Sequence, residues 1–350
     1  MRSIVLLSVI LVAAAAATTY EKSIQAEWDL FKSQYGKSYE NPSEEYRRMR
    51  IFMNNLNTIS EHNLKYQKGE VSFEVGINKF SDMLSEEVDD LYTGVNRVNR
   101  LKALNGEEVY IPELKGKQFV PTKVDVPDYV DWTHMGAVTA VRNQKTCGAC
   151  YAFSALAALE GRLYLKSKST PSEAKIQALS VQNVIDCSED YGNNGCHGGL
   201  AMYTYDYILS NKGLNNETVY PYEGKDGKCR YKPEQSIVKM KDYVKVTPFD
   251  EHELKLAVAT GPVSASFNTN PNSFKMYKSG IYEDVECNAN SLNHAMAVVG
   301  YGVDFKTEKE YWLVKNSWGT DWGIDGYIKM ARNSGNMCGI ATRPVFPDVD

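Results

Sequence analysis

Two cysteines stand three positions apart in Gln144-Lys145-Thr146-Cys147-Gly148-Ala149-Cys150-Tyr151. Such a pair can serve as a redox dithiol, as metal ligands, as structural sulfur or as the setting of a nucleophile. The chain has seven cysteines, Cys147, Cys150, Cys187, Cys196, Cys229, Cys287 and Cys338, so at least one is left over if the rest pair within the chain. A redox pair normally lies in a small βαβ domain, and no such pattern surrounds this one. Zinc requires a second set of ligands at regular spacing; Cys187 and Cys196 are nine apart, and His197 is a single histidine beside them. Two purely structural cysteines would put any nucleophile elsewhere. The nucleophile reading asks for a base and an orienting partner as well. Cys150 opens a helical pattern over 150–166, with Phe153, Leu156, Ala157, Glu160, Leu163 and Tyr164 at spacings of three and four. A helix N-terminus favours a thiolate. Of the five histidines (His62, His134, His197, His252 and His294), His294 heads the apolar run Ala295-Met296-Ala297-Val298-Val299. A histidine at a strand end is by itself more often structural. Asn316, in Lys315-Asn316-Ser317-Trp318-Gly319, follows another strand pattern, and its amide can accept from an imidazole and hold the tautomer.

The rest of the chain must position these groups. Short strands with Gly and Asn turns follow the helical stretch: 263–267, 295–299, 311–314 and 326–330. A helical half followed by a strand half predicts an α+β chain with two subdomains. Ahead of them, residues 18–93 are polar, helix-rich in pattern and free of cysteine. Trp28, Phe31 and Tyr35 share one helical face, and Glu44, Arg48, Phe52, Asn55, Ile59 and Asn63 form a stripe on a second helix. Val71, Phe73, Val75 and Ile77 alternate as a strand, and residues 95–123 read as an extended, protease-accessible linker. Met1-Arg2-Ser3 and an apolar run to Ala17 predict a secretory signal peptide, too short for a membrane span. The 43% hydrophobic content allows a packed core, and a net charge of −5 without a basic run argues against nucleic-acid binding. Asn216-Glu217-Thr218 is an N-glycosylation sequon.

Several motifs in order resemble the papain family of cysteine proteases, in its cathepsin L-like branch. They are Gln144, Cys147-Gly148-Ala149-Cys150, Gly195-Cys196-His197-Gly198-Gly199, His294 and Asn316-Ser317-Trp318-Gly319 with Trp322-Gly323. The front half adds the Glu44/Arg48/Phe52/Asn55/Ile59/Asn63 stripe and Gly76/Asn78/Phe80/Asp82, which look like two propeptide motifs of that branch. The resemblance implies a papain-like α+β fold, with a helical left subdomain and a β-barrel-like right one, preceded by a helical propeptide. It implies a signal peptide at 1–17, an inhibitory propeptide at 18–125 and a peptidase domain at 126–350. Cys150 would be the nucleophile and His294 its base, held as a thiolate–imidazolium pair, with Asn316 the orienting residue and Trp318 a shield for that hydrogen bond. Gln144 and the Cys150 backbone N–H would form the oxyanion hole. The disulfides would be Cys147–Cys196, Cys187–Cys229 and Cys287–Cys338, with Cys150 as the odd thiol. Gly198, Gly199, Leu200, Ala201, Ser266, Leu292, Asn293 and Arg343 would line the substrate cleft. The propeptide tail would cross that cleft in the reverse direction to substrate, with Asp82 and the Glu44/Arg48 pair as acid-sensitive supports.

The activity implied is that of an endopeptidase on proteins and peptides. It would need no cofactor and no metal, and would work as a monomer in lysosomes or outside the cell, a digestive lumen included. Its partners would be its own propeptide and cystatin-like inhibitors, not nucleic acid or a membrane. Four positions depart from the family pattern. Lys145 stands where the family mostly has Gly and is expected to point to solvent. Tyr151 replaces the commoner Trp. Asn293 stands where many relatives have Asp. Arg343 falls at the floor of the pocket for the second residue before the scissile bond, where it could pair with an acidic side chain or bend out to water.

Overall fold

The computed structural model describes residues 23–94, 113–122, 125–167 and 176–349. The signal-peptide expectation on 1–17 and most of the expected linker lie outside them. The front unit is built on two helices, α1 (23–35) and α2 (Pro42–Gln67). α2 starts where the Asn41 side chain accepts from the Glu44 N–H at 3.0 Å, with Pro42 in the first turn. Trp28 and Phe31 from α1 meet Phe52 from α2 and are buried with it, flanked by Tyr35, Tyr39, Met49 and Leu56. This small aromatic cluster is the front unit's own core.

The polar members of the α2 stripe hold the returning chain. Arg48 spans from Glu44 (2.7 Å) to Glu87 (2.6 Å) on α3 (Ser85–Tyr92). Asn55 donates to the Ser81 carbonyl at 2.9 Å. Asn63 holds both backbone groups of Val75, at 2.8 and 3.1 Å, on β1 (Phe73–Val75). Asn78 donates to the Lys275 carbonyl at 2.7 Å, and Gly76 N–H to the Met276 carbonyl at 2.8 Å. Buried Asp82 pairs with Lys37 at 2.7 Å and accepts from the Tyr39 hydroxyl at 2.9 Å.

The later residues form a helical lobe against a sheet. The lobe holds α4 (Cys150–Ser167), α5 (Val181–Cys187) and α6 (Ala201–Asn211). α4 is buried nearly all round, so its polar residues are bonded inside: Glu160 accepts from Arg142 (2.7 Å), Thr139 (2.6 Å) and the Leu179 N–H (2.8 Å).

The sheet strands are β1, β2 (Lys117–Gln118), β3 (Val130–Asp131), β4 (Met240–Lys245), β5 (Val263–Phe267), β6 (Tyr277–Tyr282), β7 (His294–Val303), β8 (Glu310–Lys315), β9 (Tyr327–Ala331) and β10 (Val345–Val349). Their order is β1-β6-β9-β8-β7-β5-β10-β4-β2, with β3 also on β7. The front half thus supplies both outer strands. β1 pairs antiparallel with β6, and β2 pairs parallel with β4. Pairing covers edges that would otherwise present open backbone groups. The expected linker is therefore extended over 117–118 but docked there as an edge strand. The alternation over 71–77 yields only the three residues of β1, because Asn63 and β6 claim just that stretch.

Candidate active site

Antiparallel pairing brings the expected base and its expected partner together. β7 begins at His294 and β8 ends at Lys315, and the two strands pair with Ala297 opposite Lys315. The start of one strand thus lies beside the end of the other. His294 Nε2 is 2.8 Å from Asn316 Oδ1. The Ser317 N–H also donates to that oxygen, at 2.7 Å, which fixes the amide's orientation. An oxygen there can only accept, so Nε2 carries the hydrogen and Nδ1 is the basic nitrogen. Nδ1 is buried, with no hydrogen-bond partner among the described residues. Trp318 lies over the imidazole with ring centroids 4.7 Å apart. Burial pushes the His294 pKa down to about 4, against the opposing effect of the Asn316 hydrogen bond.

Cys150 is the first residue of α4, buried, and outside every disulfide. It shares an apolar cluster with Ala295, the neighbour of His294. The disulfides are Cys147–Cys196, Cys187–Cys229 and Cys287–Cys338. The first fastens the turn that leads into α4. Gln144 is fully buried beside it. Its side chain donates to the Cys147 carbonyl at 2.8 Å and accepts from the Ser317 hydroxyl at 2.6 Å. The Tyr222 hydroxyl donates to its carbonyl at 2.6 Å. Neither Ser317 nor Tyr222 figures among the site residues read from sequence, since a lone hydroxyl carries no spacing signal.

Lys145 is exposed, as expected, but its backbone is left-handed (φ 54°), held by a 2.8 Å bond from its N–H to the Asn143 side chain. A glycine would adopt that conformation without the cost a side chain brings, which is the physical reason for glycine at this point of the family pattern.

The front unit covers this site with backbone. The Trp318 indole donates to the Tyr92 carbonyl at 2.9 Å. Gly94 N–H donates to the Asn293 carbonyl at 3.2 Å, and the Gly94 carbonyl accepts from Gly199 N–H at 2.9 Å. Contact is close enough that a Cβ on Gly94 would lie 1.8 Å from the Gly148 carbonyl oxygen, and one on Gly198 would lie 2.2 Å from the Gly94 oxygen. Only glycines fit this crossing. Phe80, fully buried, meets Trp318 edge-on at 5.2 Å.

A cavity beyond Gly199 is lined by Leu200, Ala201, Met202, Ser264, Ser266, Arg343 and Val345, together with Leu114 of the front half. Leu200, Ala201, Ser266 and Arg343 are the residues read from sequence; Leu292 packs on the adjoining apolar cluster and is not part of the lining. Arg343 is half-buried, and burial lowers its pKa against the opposing effect of Tyr203. Asn216 is partly exposed, and its side-chain oxygen accepts from the Val219 N–H at 2.9 Å. Asn293 is buried beside His294 and faces the front unit.

Residues 126–348 match the papain family cysteine protease model, and residues 28–88 match the cathepsin propeptide inhibitor domain. The chain is 42% identical to cathepsin L of Sarcophaga peregrina over 100% of both chains. It is 41% identical to a cathepsin L-like peptidase of Aedes aegypti, covering 98% of this chain and 99% of that one. Among solved structures it superposes on digestive procathepsin L 3 of Tenebrio molitor larval midgut with a TM-score of 0.81 at 36% identity, covering 93% of this chain and 99% of the other. The chain belongs to the papain family of cysteine proteases, as a cathepsin L-like proenzyme that carries its own propeptide inhibitor domain.

Proposed function

We propose that the protein is made as a latent precursor and becomes an endopeptidase when acid releases the propeptide. The observation that carries the mechanism is the His294 Nε2–Asn316 Oδ1 bond, which leaves Nδ1 as the base. Nδ1 takes the proton of the Cys150 thiol. The thiolate attacks the peptide carbonyl carbon, and the oxyanion sits between the Cys150 N–H and the second N–H of the Gln144 amide. Collapse of the tetrahedral intermediate breaks the C–N bond, and His294 returns the proton to the departing amine. Water, deprotonated by His294, then hydrolyses the thioester. In the precursor, Gly94 occupies the backbone groups of Asn293 and Gly199 that substrate would use. The digestive midgut relative supports work in a digestive lumen, with a lysosome as the alternative compartment.

Acid acts on His294 in this scheme. Covered His294 is held neutral, with its pKa moved from 6.5 to about 4. The part of that burial that the propeptide supplies makes uncovered His294 bind its proton more readily, so acid weakens docking. Asp82 is a support of the docked propeptide: it pairs with Lys37 at 2.7 Å and accepts from the Tyr39 hydroxyl at 2.9 Å. Glu44 is different. The hydrogen bonds from Arg47 and Arg48 hold it down to about 2, so it stays ionised through mild acid and we assign it no trigger role. Asp82→Asn is expected to move self-processing to higher pH, read from a pH series on gels. An unchanged pH of processing would mean that this support does not set the acid threshold.

Arg343 in the cavity lining supports a preference for an acidic side chain two residues before the scissile bond. The test is hydrolysis of a fluorogenic peptide set varied at that position, before and after acid activation. Cleavage is expected only after activation, with Asp and Glu raised relative to Leu and Phe by about tenfold. Arg343→Ala should remove that rise. A profile led by Leu, Phe and Val in the wild type would overturn the specificity while leaving the peptidase intact.

A further inference from the structure

The propeptide places a carboxylate in the cleft, and the groups that receive it belong to the peptidase part. Asp89 of α3 is 3.1 Å from Lys275 Nζ and accepts from Asn293 Nδ2 at 3.1 Å. All three are buried, at 6%, 0% and 6% exposure for Asp89, Lys275 and Asn293. A buried ammonium is costly unless paired, so this contact is a built one. The Asn293 amide has one available orientation. Its oxygen accepts from the Thr269 N–H (2.9 Å) and hydroxyl (3.0 Å), so its nitrogen must face Asp89 and the Asn270 side-chain oxygen (2.7 Å). A carboxylate at position 293 would repel Asp89; an amide donates to it. Lys275 also bonds the Asn270 carbonyl at 3.0 Å and the Ser85 hydroxyl. Asp89 and Ser85 leave with the propeptide, while Lys275, Asn270 and Asn293 stay.

The position along the cleft follows from the path of the propeptide. Asp89 sits on Lys275, Tyr92 on Trp318, Gly94 between Asn293 and Gly199, and Leu114 in the Arg343 cavity. Lys275 and Arg343 therefore lie on opposite sides of the Cys150 and His294 position. If the Arg343 cavity takes a residue before the scissile bond, Lys275 and Asn293 face the residue after it. We propose that Lys275 and Asn293 form a carboxylate-reading subsite on the leaving-group side, so that the mature enzyme favours Asp or Glu directly after the scissile bond. This rests on the peptidase reading above. Asp89 stands in for that substrate carboxylate, and a charge-assisted, two-donor contact in a buried place discriminates strongly against neutral isosteres.

The test uses the acid-activated enzyme and internally quenched peptides sharing one sequence before the bond, with Asp, Asn, Glu, Gln, Ala or Lys after it. We expect kcat/KM for Asp over Asn, and for Glu over Gln, to be raised about tenfold, shrinking with added salt. Lys275→Met, which keeps the volume, should bring both ratios to about one. A matched pair of peptides ending as free acid or amide at this position identifies whether a chain-terminal carboxylate is read as well. Wild-type ratios at or below one, or ratios unchanged in Lys275→Met, would overturn the subsite. Should the variant fail to fold, the wild-type ratios and their salt dependence decide alone. Cleavage of every peptide at equal rates removes only this inference, whereas cleavage of none would remove the peptidase reading itself.

Discussion

Cys150→Ala is expected to abolish peptide hydrolysis, a loss of about 10⁶-fold in kcat if the thiol is the nucleophile. The precursor should remain folded, because alanine replaces a small side chain at a buried helix start. It should also stay full length in acid unless wild-type enzyme is added. The comparison with Asn316→Ala is informative. That change leaves thiol and imidazole in place and removes the Nε2–Oδ1 bond of 2.8 Å, so the ring loses its enforced tautomer. Loss there should be smaller, about 10²- to 10⁴-fold. If Cys150→Ala retained activity within tenfold of wild type, the nucleophile would have to be another group.

The second large effect is expected in the propeptide. Phe52 is fully buried, with ring centroids 5.3 Å from Trp28 and 4.7 Å from Phe31. No disulfide supports this cluster, since every cysteine lies at or after position 147. Truncating a buried aromatic costs about 3–5 kcal/mol. That is a large share of what a unit this small can hold. Phe52→Ala should therefore release the inhibitor domain at neutral pH, raising the activity of unprocessed precursor by about a hundredfold or more. The cut is read by activity together with size on a gel. A precursor that stays silent at neutral pH would mean that the cleft contacts at Trp318, Asn293 and Gly199 hold the propeptide without its core.

What the sequence made legible, and what it did not, has a physical pattern. Local periodicity exposed α1 through Trp28 and Phe31, α2 through its six-residue stripe, and α4 through its apolar spacing. His294 and Asn316 could be placed at strand ends, because a strand's apolar run announces where it begins and stops. The family motifs supplied the rest of the catalytic assignments. What stayed hidden depends on contacts between distant segments. The Asp82–Lys37 pair spans 45 positions and the Asp89–Lys275 pair joins two units, and neither leaves a spacing signal. β2 is two residues long and takes its extended shape from the edge of β4. Lys275 lies on a four-residue helix (Asn272–Lys275), where a lysine reads as an ordinary surface residue until the buried contact is seen.

The most direct measurement is covalent labelling of the thiols with an epoxysuccinyl peptide, mapped by mass spectrometry before and after acid release of the propeptide. The account predicts label on Cys150 alone, only after release, and in step with the appearance of peptidase activity. Equal labelling of Cys150 in the precursor, or activity that survives complete labelling, would contradict it.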